Sequence, residues 1–130
     1  MLKPHTPPAL HPPFAKYSHG MEVPPGARLL FASGQLGITR EKHVPEDARG
    51  QADLCFKALG EILTSAGMTF RNVVRINAFV TDRAYLKDYM VVRDVYVEDP
   101  PPASTLMIVS GFAAEIYKVE VEIIAAAFQD

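Results

Sequence analysis

From Pro100 to Glu122 the chain reads PPPASTLMIVSGFAAEIYKVEVE, two strand-like runs joined by a short loop. The three prolines stop any preceding helix and force an extended entry. The closing run alternates, so Val119, Val121 and Ile123 share one face while Glu120 and Glu122 share the other, beside Lys118. One face is built for packing. The other carries two acids on a strand, and the function depends on what they face.

A length of 130 residues with 48% hydrophobic and 22% charged content suits one core rather than two. Residues 1–12 form an expected extended arm, and 13–130 a single domain. The first 13 residues hold five of the eleven prolines together with His5 and His11, and no third ligand stands at a supporting spacing, so no metal site is expected. No apolar run approaches a bilayer span and the N-terminus lacks the apolar core of a signal peptide, so a soluble, cytoplasmic protein with no membrane partner is expected. The lone Cys55 cannot form an internal disulfide. A net charge of −2 with 13 scattered basic residues gives no footprint for nucleic acid.

Phe14–Val23 alternates loosely and ends at Pro24-Pro25-Gly26, an order that suits a type II turn. Arg28–Ser33 is a second strand, and the glycines of Ser33-Gly34-Gln35-Leu36-Gly37 predict a bulge or a close backbone approach. Asp47–Ala66 is a helix: Ala48, Ala52, Cys55, Leu59, Ile62 and Ala66 recur at three- and four-residue steps, and Gly67 follows as a stop. On that stripe Cys55 is a buried structural thiol. Val73–Thr81 alternates cleanly, setting Val74, Ile76, Ala78 and Val80 against Val73, Arg75, Asn77, Phe79 and Thr81. Asp82 caps a second helix over Arg83–Val97, and strands over Ser104–Val109 and Tyr117–Ala127 complete the chain.

The predicted order is β-β-α-β-α-β-β, an α+β sheet with two helices on one face. Its bare face mixes Phe79, Ile124 and Ala126 with Arg75, Asn77, Glu120 and Glu122, too apolar for water and too polar for a core. A homo-oligomer satisfies both, with apolar positions packed between copies and polar ones lining grooves. No Walker loop, dinucleotide fingerprint, GxSxG, HExxH or CxxC is present, so no cofactor is expected. Ser33 has no histidine placed to activate it and reads as a turn serine.

Lys16-Tyr17-Ser18-His19, Ser33-Gly34-Gln35-Leu36-Gly37, Gln51 opening a helix that ends in Ala66-Gly67-Met68, Val73-Val74-Arg75 with Phe79-Val80-Thr81-Asp82, Pro102-Ala103-Ser104-Thr105 and Val119-Glu120-Val121-Glu122 resemble, in order, the Rid family, also called YjgF or L-PSP. The resemblance covers about Pro13 to Ala127. It implies a chorismate-mutase-like fold of the bacillus type and a homotrimer with a central barrel and three clefts between subunits. It also implies hydrolysis of reactive enamines and imines to a carbonyl compound and ammonia. Glu120 would then hold or activate the attacking water, with Tyr17, Ser33, Gly34, Arg75, Ala103, Ser104 and Thr105 around the substrate. In the family an arginine before the serine of the proline-alanine motif pairs with the substrate carboxylate; here that position is Ala103. The Asn of the second helix corresponds to Met90, and the loop Ser110–Ile116 is longer. Loss of a buried charge-assisted pair weakens binding of a 2-imino acid by several kcal/mol on the order of, which leaves either a different imine substrate or a non-catalytic ligand-binding trimer. The ribonuclease or translation-inhibitor activity attached to the L-PSP name is disfavoured by the net charge.

Overall fold

The computed structural model describes residues 1–128. Its elements are β1 (Lys3–His5), β2 (Gly20–Glu22), β3 (Arg28–Leu36), α1 (Ala48–Ser65), β4 (Val73–Val80), α2 (Leu86–Tyr96), β5 (Ala103–Ile108) and β6 (Val119–Ala127). The main sheet has the order β3-β6-β4-β5, and β1 and β2 form a separate two-stranded ribbon. β6 runs antiparallel to both neighbours, whereas β4 and β5 are parallel through the α2 crossover.

The first predicted strand therefore needs correcting, in length and in partner. Only Gly20–Glu22 is a strand, and it pairs with Lys3–His5 of the proline-rich arm, with His5 Nε2 2.7 Å from Glu22 Oε1. The residues before it are tied elsewhere. Ser18 is buried, donates from its amide to the Pro102 carbonyl (3.0 Å) and from its hydroxyl to the Pro101 carbonyl (2.6 Å), while Lys16 Nζ reaches the Val97 carbonyl (2.9 Å). With the Ser18 amide given to Pro102, the Tyr17 amide turned back to Ala15 O and the Lys16 and Ser18 side chains tied to the chain between α2 and β5, this stretch is held off a sheet ladder.

The core lies between one sheet face and the two helices. Phe56, Leu59 and Leu63 of α1 and Tyr89 of α2 meet Ile76, Ala78 and Val80 of β4 and Val119, Val121 and Ile123 of β6. Each large apolar side chain buried there contributes roughly 1.5–3 kcal/mol. α1 ends as its glycine requires: Gly67 has φ +69°, its amide donates to Thr64 O (3.0 Å), and the Met68 amide donates to Leu63 O (2.8 Å), the double bond of a Schellman stop. Gly26 sits at φ +92° in the predicted turn. Asp82 does cap, accepting from the Ala84 amide at 2.8 Å, but it caps a single 3-10 turn, Arg83–Tyr85, that precedes α2. Among the described residues no helix is long and apolar enough to cross a membrane.

Candidate active site

The bare sheet face carries both acids. Strand alternation directs Glu120 and Glu122 of β6, Arg75, Asn77 and Phe79 of β4, and Ala103, Thr105 and Met107 of β5 away from the helices. The register stacks them in rows. Ala103, Arg75 and Ile124 form one row, Thr105, Asn77 and Glu122 the next, and Met107, Phe79 and Glu120 the third.

β3 contributes through an irregularity. Ala32 pairs with Ile123 and Gln35 with Val121, so Ser33 and Gly34 together oppose the single residue Glu122, as the serine-glycine run predicted. The extra residue switches the facing of everything after it and brings the Gly34 backbone against Glu120. A β-carbon placed at residue 34 would lie 2.8 Å from Glu120 Cδ and 3.1 Å from Oε1. Gly34 is thus a glycine because the carboxylate occupies its side-chain space.

The two acids differ. Glu122 accepts from Asn77 Nδ2 at 3.1 Å, whereas Glu120 has no side-chain hydrogen bond among the described residues and is only half-buried. Its charge is felt through the sheet: burial first, and then the neighbouring Glu120, push the Cys55 thiol up to about 12. Cys55 is fully buried and its Sγ lies 3.7 Å from Val119 O, so it is a structural thiol, as its place on the helix stripe predicted.

The other sequence-predicted residues fall into two further groups. Arg75 Nη2 donates to Thr105 Oγ1 at 2.6 Å, beside Ala103. Phe79, the partner of Glu120, is four residue steps along β4 from Arg75, which is about 13 Å along a strand. Arg75 accordingly pairs with neither acid within the chain; Asn77 stands opposite Glu122 in its place. Tyr17 and Ser104 line a cavity on the helix-covered side, with Met90, so they do not meet Glu120 within one chain. The structure brings together Gly34 and Glu120, with Ser33 beside Gly34 in the bulge opposite Glu122, and separately Arg75, Ala103 and Thr105.

Gln51 is a residue whose role the sequence did not disclose. It is fully buried, donates to Pro45 O (2.8 Å) and Ile116 O (2.9 Å), and accepts from the Lys118 amide (2.8 Å). Those bonds fix the end of the Ser110–Tyr117 loop and hence the entry of β6 two residues before Glu120. Gly37 allows this: a β-carbon there would stand 2.5 Å from Gln51 Cα. A glutamine on an otherwise apolar helix stripe was the available signal. A cavity of about 690 Å³ along α1, beside Gly60 and Phe70, does not have Glu120 in its lining, and a β-carbon at Gly60 would meet the Phe70 ring rather than an acid.

A four-stranded mixed sheet with two helices on one face and a half-buried carboxylate against a bulge on the other defines a small α+β protein with a polar site on an open sheet. The chain belongs to the Rid, or YjgF/L-PSP, family: the family model described as Endoribonuclease L-PSP matches residues 8–127. It is 33% identical over 114 residues to the RutC family protein YjgH of Escherichia coli, covering 85% of this chain and 86% of that one. It is 32% identical over 102 residues to the chloroplastic Reactive Intermediate Deaminase A of Arabidopsis thaliana, covering 75% of this chain and 52% of the plant protein. The fold matches the crystal structure of the Rid family protein YyfB from Yersinia pestis with a TM-score of 0.86 at 25% identity, over 97% and 98% of the two chains. RidA from an Antarctic Psychrobacter matches with a TM-score of 0.73 at 26% identity, over 88% and 91%.

Proposed function

We propose that this protein takes a small metabolite into clefts between copies of itself and hydrolyses a reactive C=N bond there, with Glu120 as the base. The observation that carries the reading is the pairing of Glu120 with Gly34: a carboxylate without a partner of its own, held against a bulge, next to a neighbouring acid that already has one. Kinship with proteins named reactive intermediate deaminases supports the reaction class. Glu120 takes a proton from water as the water oxygen bonds to the imine carbon and the C=N π bond breaks, and it passes that proton to the nitrogen. The carbinolamine then collapses to a carbonyl compound and releases ammonia.

Self-association is part of this reading. Leu29 is 54%, Phe31 69% and Met107 52% exposed on the bare face of the isolated chain, large apolar side chains that a second copy would cover. A homotrimer closing those faces into a central barrel would bring the Tyr17 and Arg75 groups of one copy toward the Glu120 group of the next. Ala103 offers no charge to a substrate carboxylate, so imines without one are the expected substrates. Cytoplasmic action belongs to the same reading, and the family's endoribonuclease label does not, because the net charge is −2.

The test is ammonia release from freshly generated imines of varied side chain, against their spontaneous hydrolysis, with the mass of the assembly measured by light scattering. Acceleration by a trimer is expected. A protein that leaves every imine at its spontaneous rate sinks the hydrolase reading and leaves ligand binding as the alternative.

A further inference from the structure

With no side-chain hydrogen bond of its own among the described residues, the Glu120 carboxylate stands where its backbone and its packing put it. Leu36 and Glu120 are the terminal pair between β3 and β6, and the two residues of β6 just before that pair are gripped from α1. Gln51 Oε1 accepts from the Lys118 amide at 2.8 Å, and one helical turn further on Cys55 Sγ lies 3.7 Å from Val119 O. From the β4 side the Thr81 amide donates to Lys118 O at 3.1 Å. Gln51 Nε2 is committed as well, to Pro45 O and Ile116 O, so a flip of this fully buried amide would set its oxygen against two carbonyls. β3 closes the circuit. A β-carbon at Gly37 would stand 2.5 Å from Gln51 Cα, and three residues earlier one at Gly34 would stand 2.8 Å from Glu120 Cδ. Contacts thus run from Gln51 to Lys118, along β6 to Glu120, across to Gly34, and back along β3 through Gly37 to Gln51.

We propose that Gln51 is a positioning residue for Glu120. It touches no reacting atom, and it sets the place along β6 at which the carboxylate meets the Gly34 bulge. A buried amide with three shared bonds lets go as a unit, so its loss frees the Lys118 amide together with the Pro45 and Ile116 carbonyls and shifts Glu120 relative to Gly34. The consequence for C=N hydrolysis rests on Glu120 being the base, as read above; the coupling of Gln51 to Gly34 does not.

The experiment combines Gly34→Ala with Gln51→Leu and with Gln51→Asn, each with and without Glu120→Ala, and reads the folding equilibrium constant by urea unfolding. The alanine methyl group reports where the carboxylate stands. The factor by which Gly34→Ala lowers the folding constant is expected to shrink at least ~threefold once Gln51 is changed, and that coupling to vanish in Glu120→Ala. Gln51→Asn keeps the amide one methylene short and guards against a Gln51→Leu that fails to fold. A reciprocal measurement needs no change at Gln51: Gly34→Ala should speed hydrogen exchange of the Lys118 amide at least ~threefold relative to the Met68 amide, and should not do so in Glu120→Ala. In ammonia release, Gln51→Asn should lower kcat ~tenfold or more with KM little changed. Additive costs of Gly34→Ala and the Gln51 changes, or a Lys118 amide indifferent to Gly34→Ala, would overturn the positioning role whatever the activity. Coupling in a protein that hydrolyses no imine would uphold the positioning and sink only the assignment of Glu120 as base.

Discussion

Replacing Gly34 with alanine puts a methyl group where the Glu120 carboxylate stands. The new carbon would sit 2.8 Å from Cδ and 3.0 Å from Cγ, and reaching 3.4 Å, where ordinary contact begins, needs a shift of about 0.6 Å. Overpacking of this kind costs roughly 1–3 kcal/mol, and the low end applies because the clashing atoms end a flexible side chain. Gly34 is not among the residues with positive φ, so alanine meets no backbone penalty and gains about 0.4–1 kcal/mol by restricting the unfolded chain. The sign of the effect should therefore depend on Glu120. Gly34→Ala destabilises the wild type, and the same change in a Glu120→Ala background is neutral or stabilising. Urea unfolding of the four proteins gives the coupling, expected at about 1 kcal/mol or more. Imine hydrolysis by Gly34→Ala should fall about tenfold or more, since displacement of a reacting group by ~1 Å costs up to ~10²-fold. An equal cost of Gly34→Ala in both backgrounds would refute the packing of Glu120 as the reason for this glycine.

Gly37→Ala is the contrasting case: its β-carbon would meet the Gln51 backbone, Cα at 2.5 Å and O at 2.8 Å, which cannot swing aside. A loss of about 3 kcal/mol or failure to fold is expected, read by urea unfolding. Gln51→Leu leaves Pro45 O, Ile116 O and the Lys118 amide without their partner and should cost ~3 kcal/mol or more, with the Ser110–Tyr117 loop losing protection in hydrogen exchange. The Tyr96 hydroxyl donates to Asp53 at 2.6 Å and, with Lys57, holds that carboxyl below its ordinary 3.8. A depressed folded value means stability present above 3.8 and lost as pH falls through the folded value. The melting-temperature gap between wild type and Tyr96→Phe should be full at neutral pH and shrink in acid below 3.8; a gap independent of pH would contradict the bond.

The helices, the last three strands and the bulge were legible because each is written locally. Helical spacing, alternation, the Gly67 stop and the Ser33-Gly34 run report on neighbours a few residues away. The pairing of β1 with β2 was not, because Lys3-Pro4-His5 carries no alternation and its hydrogen bonds are decided by where Ser18 and Lys16 are held. Glu120 was legible as an acid on a strand and the resemblance set it above Glu122, but what separates the two structurally, Asn77 standing opposite Glu122, is a register no single strand reveals. The parting of Ser104 from Thr105 follows from alternation alone, whereas grouping both into one site followed the resemblance. Burial of Arg93 was hidden too, because a cation on an amphipathic helix ordinarily faces water.

The most direct measurement is the rate of imine hydrolysis by Glu120→Gln beside Glu122→Gln. With Glu120 as the base, its amide should bring ammonia release down to the spontaneous rate. Glu122→Gln, already bonded to Asn77, should keep most of the activity. Full activity in Glu120→Gln, or an equal loss in both variants, would contradict the assignment.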